Sequence, residues 1–140
     1  MADLSITPAN VALAGNTTGA GPVVVQYGEA VTQGEPLYLD TNDGKYYLGD
    51  ADASATAAEA TKLAMTPGSA DDYGIVAGAG MEVDLGATLT VGETYGVSAT
   101  AGGIAPIGDL TTGDYTCIIG TAETASKIKL KFIFTNAAKP

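Results

Sequence analysis

Asp40-Thr41-Asn42-Asp43-Gly44 is the first run in this 140-residue chain whose side chains could do chemistry. Oxygen ligands packed so closely suit a calcium loop, which takes them at positions one, three and five, with glycine at six and glutamate at twelve. Counted from Asp40, position five is Gly44 and position twelve is Ala51, so the pattern breaks. A hairpin fits better, because Asp-Gly accepts the positive φ of a tight turn. Acid pairs recur at Asp50/Asp52, Asp71/Asp72 and Glu82/Asp84. Two carboxylates flanking a sugar can cleave it, but Glu82 and Asp84 alternate with apolar residues and read as a solvated strand face. Gly96-Val97-Ser98-Ala99-Thr100 approaches a nucleophile elbow and lacks its closing glycine. Cys117, within Tyr115-Thr116-Cys117-Ile118-Ile119, reads as a small apolar filler turned inward.

The rest of the palette narrows the chemistry further. The chain has no His, no Trp and a single Cys, and all six of its positive charges are lysines. Without imidazole there is no side chain that titrates near neutrality unperturbed, and without guanidinium there is no bidentate clamp for phosphate. One cysteine excludes an intramolecular disulfide and a multi-cysteine metal site. The expectation is a protein that is not an enzyme and carries no cofactor or metal. Sixteen acids against six lysines leave a net charge of −10. Such a surface repels nucleic acid and anionic membranes, so neither is expected as a partner. With 46% hydrophobic residues the chain has enough apolar content to fold.

These residues must be positioned by strands. Lys127-Ile128-Lys129-Leu130-Lys131-Phe132 alternates strictly, as do Met81–Leu85 and Thr88–Val91. Further short runs are Val23–Gln26, Pro36–Leu39, Tyr46–Leu48, Gly74–Ala77, Thr94–Ser98 and Tyr115–Ile119, separated by Gly- and Asp-containing turns. This spacing predicts an all-β fold, a compact barrel or sandwich of many short strands with at most one short helix. The helix belongs in Ser54–Lys62, where Thr56 and Glu59 are spaced for a capping box. A shift of 58 residues aligns Gly28–Gly44 with Gly86–Gly102, matching Gly28/Gly86, Thr32/Thr90, Gly34/Gly92, Glu35/Glu93 and Gly44/Gly102. The repeat reads as one β-unit built twice within a single body.

Two features bear on partners. Lys127, Lys129 and Lys131 put half of the positive charge on one strand face. They suit either protection of an edge strand or a basic stripe meeting an acidic partner. Residues 1–22 are small and weakly patterned, and read as an N-terminal arm before a single β-domain at 23–140. Leu4, Ile6, Val11 and Leu13 of the arm, with the three lysines, are the residues expected to make contacts. Removing the arm is expected to leave the β-fold intact. The start MADLSITP lacks the basic residue and apolar stretch of a secretory signal, so work inside the cell, or in an assembly formed there, is expected.

Thr90-Val-Gly-Glu-Thr-Tyr-Gly-Val-Ser-Ala-Thr-Ala-Gly-Gly-Ile-Ala-Pro106 resembles the small decoration, or cement, proteins encoded beside the major capsid protein of tailed bacteriophages. Asp109–Gly120, Ser126–Phe132, Gly34–Leu39 and Asp43–Leu48 fit the same pattern, so the likeness runs from about Val23 to Phe134. The resemblance implies a compact β-domain on the outer surface of a phage head, often a homotrimer at threefold and quasi-threefold positions. It would bridge adjacent major capsid subunits against the outward pressure of packaged DNA. Family members with an extra protruding module are longer, so a display role is not implied. Two other readings stand beside it: a tail or fibre component, and a carbohydrate-binding module stacking sugars on Tyr38, Tyr46 and Tyr47.

Overall fold

The computed structural model describes residues 3–14 and 21–140. Its strands are β1 (Val11–Leu13), β2 (Val23–Gln26), β3 (Pro36–Asp40), β4 (Lys45–Leu48), β5 (Lys62–Ala64), β6 (Tyr73–Ala77), β7 (Glu82–Leu85), β8 (Thr94–Val97), β9 (Ile104–Pro106), β10 (Tyr115–Ala122) and β11 (Lys127–Ala138). One helical turn, α1 (Ala55–Ala58), lies between β4 and β5. The strands form two antiparallel sheets packed together, ordered β1-β7-β11-β10-β8-β9 and β2-β6-β5-β3-β4. The protein is therefore all-β and sandwich-like, and not a closed barrel.

Period-two alternation builds the layer between the sheets. Ile128 and Leu130 of β11, Val83 and Leu85 of β7, Tyr95 and Val97 of β8, and Cys117 and Ile119 of β10 are buried there. Leu63, Met65 and Ala77 meet them from the smaller sheet. Strand β10 breaks the alternation: its register slips between Ile118 and Gly120, and Ala122 returns to the core. Glycine is required at that bulge, since a Cβ on Gly120 would lie 2.3 Å from the Lys129 carbonyl oxygen.

The smaller sheet uses both of its faces. Leu63 pairs with Ala77 toward the main core, whereas Ala64 pairs with Val76 on the other side, where Tyr27, Val31 and Leu37 complete a second cluster. The sheet curls around that cluster until Tyr27 bridges Tyr46 in parallel fashion. That single bridge joins the two edges at one end and leaves the sheet open elsewhere.

Several expectations need correction. Strand β11 is the third of six in its sheet, so its lysines do not guard an edge. Thr88–Val91 forms no strand: the Leu89 amide bonds the Ala125 carbonyl and the Gly92 amide bonds that of Ala122, without a continuous ladder. The helical turn is capped by Ser54, whose hydroxyl accepts from the Ala57 amide at 3.0 Å, while Glu59 is the C-cap residue that follows it and no Thr56/Glu59 box forms. Strands β1, β5 and β9, three residues each, are too short to show a period.

The described part of the expected arm is laid across the body. The Leu4 amide bonds the Ile104 carbonyl at the β9 edge, the Thr7 amide bonds that of Gly86, and β1 then pairs with β7 at the opposite edge. Leu4 and Ile6 pack against the main core on the way. Met1, Ala2 and residues 15–20 of that segment lie outside the described residues.

The internal repeat has a structural counterpart. Hairpins β3–β4 and β8–β9 are the outermost pairs of their respective sheets. Gly34 and Gly92 precede them with φ of +87° and +83°, and Gly44 and Gly102 turn them with φ of +74° and +77°.

Candidate functional site

The Asp40–Gly44 run is the turn of the β3–β4 hairpin, held by Asp carboxylates that accept backbone amides. Asn42 donates to Asp40 and Lys45 to Asp43, each at 2.9 Å. Asp43 also accepts the Tyr47 hydroxyl at 2.5 Å. That bond pushes the Tyr47 phenol up to about 12 and, with the Lys45 amide, holds the Asp43 carboxyl below its ordinary value. Tyr38 stacks obliquely on Tyr47, with ring centroids 6.0 Å apart. Burial raises the Tyr38 phenol, and the charges of Asp40, Glu29, Asp43 and Asp50 raise it further. Tyr46 is on the opposite face of β4, packed against the smaller cluster. Strand alternation thus prevents Tyr38, Tyr46 and Tyr47 from forming one sugar-stacking platform.

The other acid pairs also serve local structure. Asp50 accepts the Asp52 amide at 3.2 Å, and its carboxyl is raised first by burial and then by its hydrogen bond with Asp52. Asp71 makes an ion pair with Lys45 at 2.6 Å, and Asp72 accepts the Ser69 amide. Asp84 and Glu82 are on the outer face of the larger sheet, opposite Lys127 and Lys129. Glu82 is only 7% exposed, which corrects its reading as a solvated residue. Among the described residues, no group of three or more His, Cys, Asp or Glu could hold a metal ion.

Both nucleophile candidates are buried. The Ser98 hydroxyl, fully buried, donates to the Asp3 carboxylate at 2.6 Å and accepts the Thr100 amide at 3.0 Å. It pins the N-terminal segment to the β8–β9 hairpin. Cys117 is fully buried in the main core, and burial pushes its thiol up to about 11. Sequence reasoning missed two buried carboxylates, Glu82 and Asp114. Asp114 accepts from both the amide and the hydroxyl of Thr111, and the Gly113-Asp114 turn signal located it without showing its burial.

The expected contact residues divide into two groups. Leu4, Ile6 and Val11 face the chain's own core, and Val11 is buried there. Leu13 is 46% exposed at the sheet edge. Lys127, Lys129 and Lys131 share the outer face of β11 with Ile133, which is also exposed. A second exposed area, apolar, is carried by the β2–β6 pair, where Val24 opposes Ile75 and Gln26 opposes Tyr73.

Among the described residues, no helix is long and apolar enough to cross a membrane. No protein-family model matches the chain, and no curated protein matches it either.

Proposed function

We propose that this protein is a structural component of a tailed-phage virion, a decoration protein that binds the outer surface of the head and bridges adjacent major capsid subunits. The single observation carrying this reading is the resemblance of Thr90–Pro106 to the cement proteins, extended by Asp109–Gly120 and Ser126–Phe132. These segments supply β8, β9 and most of β10, together with the first half of β11, four neighbouring strands of the larger sheet. A stiff sheet sandwich whose serine and cysteine candidates are both fully buried suits a role exerted by surface contact. The functional unit in this reading is a homotrimer, and its place is the virion exterior, away from the packaged DNA that a net charge of −10 would repel. Contacts fall to Leu13, Lys127, Lys129 and Lys131, the members of the expected set that face solvent. Binding many equivalent sites stabilises the decorated shell by mass action.

Purified protein mixed with undecorated phage heads is expected to bind saturably at a fixed ratio of copies per head, and to raise the temperature at which the heads open. Failure to bind at every salt concentration removes the proposal. Sedimentation of the free protein as a monomer at all concentrations removes its trimeric part.

A further inference from the structure

The outer face of the larger sheet carries a groove that none of the local contacts explains. Ile118 and Ile133, paired across β10 and β11, form its apolar part, and Lys129 and Lys131 flank it. Thr94 and Thr121, 3.3 Å apart through their hydroxyls, close the β8 side. Its volume is about 400 Å³, enough for a few residues of an extended chain. Glu123 contributes the one acid of its lining.

Charge decides the occupant. Lys127 and Lys129 face Asp84 and Glu82 of β7 across the strand, but that pairing ends at Lys129. Lys131 has no acid opposite it, and on the β10 side Lys129 is opposed by Thr121. Lys129 and Lys131 thus line the groove together with the two isoleucines and outnumber its one acid. Two residues along a strand advance about 6.8 Å, so an extended segment laid along β11 meets Lys129 and Lys131 with side chains at its own positions i and i+2. We infer that this groove docks an extended acidic segment of a partner polypeptide, of the form acid–x–acid–x–apolar, with carboxylates at i and i+2 on Lys129 and Lys131 and the apolar side chain at i+4 against Ile133 and Ile118. Each lysine–carboxylate contact is partly shielded from water by the isoleucines, which strengthens it relative to a fully exposed pair.

The inference stands apart from shell binding and is tested without a shell. The ¹⁵N-labelled full chain is titrated with a synthetic Glu-Ser-Glu-Ser-Val peptide, with Lys-Ser-Lys-Ser-Val as the control. The acidic peptide is expected to give saturable amide shifts at Thr94, Thr121, Lys129, Lys131 and Ile133, and the basic one none. Lys129→Glu with Lys131→Glu is expected to weaken binding about tenfold, given two lost attractions and two new repulsions. Lys129→Gln with Lys131→Gln gives a smaller loss, and replaces the reversal if that variant does not fold. Absence of saturable shifts, shifts centred elsewhere, or undiminished affinity in the variants overturns the inference. So does tighter binding of a single-stranded oligonucleotide than of the acidic peptide, since the groove would then serve phosphate. Peptide binding without head binding would leave this inference standing and remove the virion role, and the converse result would do the opposite.

Discussion

Tyr27 shows how closely single residues are fitted. Its ring is fully buried in the smaller sheet, and its hydroxyl donates to the Thr66 carbonyl at 2.7 Å. Burial raises the phenol pKa, and the bond to Thr66 opposes that rise. Gly74 lies beneath the ring, where a Cβ would be 2.3 Å from the phenol Cζ. Gly74→Ala is thus expected to destabilise the fold by about 3 kcal/mol or more, because the ring has no room to withdraw. Tyr27→Phe, which keeps the ring and loses only the hydroxyl's bond, should cost about 1 kcal/mol; urea unfolding of both variants measures the contrast. Glu35 gives a pH-dependent case. Burial holds its carboxyl above the ordinary range, the Thr32 amide pulls it down, and Glu29 adds to the rise. A carboxyl with a raised folded pKa binds its proton more tightly when folded, so it contributes stability at low pH that is lost as pH rises through that pKa. Glu35→Gln is expected to be more stable than the parent at pH 7. The difference should shrink as pH falls through the raised folded pKa and be gone below about 4.3, the ordinary glutamate value. Thermal midpoints of the two proteins across that range are the check, and a difference that does not vary with pH would contradict it.

At the scale of elements, the N-terminal segment matters most. Its composition reads as an arm, yet Leu4 and Ile6 cover the main core and the backbone ties both edges of the larger sheet. Leu4→Ala with Ile6→Ala is expected to lose about 2 to 4 kcal/mol, less than two fully buried truncations because both sites are only partly buried. Unchanged urea midpoints would show that the segment is not part of the folded unit. Most strands were legible because β2, β3, β4, β6, β7, β8, β10 and β11 each carry an apolar or alternating signature bounded by turn residues. The Asp-Gly turn of β3–β4 was legible for the same reason. Thr88–Val91 has that signature too and forms no strand, since alternation describes a side-chain pattern and does not supply a neighbour to bond. The repeat was legible through its glycines, because the positive φ at Gly34/Gly92 and Gly44/Gly102 demands the same residue in both copies.

The whole molecule is an acidic body with its lysines unevenly placed. Net charge of −10 opposes compaction at neutral pH, and the raised carboxyls of Glu35 and Asp50 act in the same direction. Mild acidification toward pH 5 is therefore expected to raise the thermal midpoint. The surface roles argued above also belong to this scale: saturable decoration of heads for the molecule as a whole, and acidic-peptide capture for the outer face of β11. Of the seven residues expected to make contacts, the three lysines share one face of β11, as their spacing predicts. Leu4, Ile6 and Val11 pack on the chain's own core, which sequence did not show, because an apolar residue in a weakly patterned segment gives no sign of whether its own core or a partner receives it.

By itself, the sequence determined that this chain is all-β, acidic and without imidazole or guanidinium, and it placed most strands and turns. Those properties follow from composition and from short-range periodicity, which a single strand records in full. Tertiary structure alone decided that the sheets stack without closing, that β11 is interior, that Glu82 and Asp114 are buried, and that Ile118, Ile133 and two lysines share a groove. Each of these depends on which strands become neighbours, and that is settled by contacts between residues far apart in the chain, where no local pattern reaches.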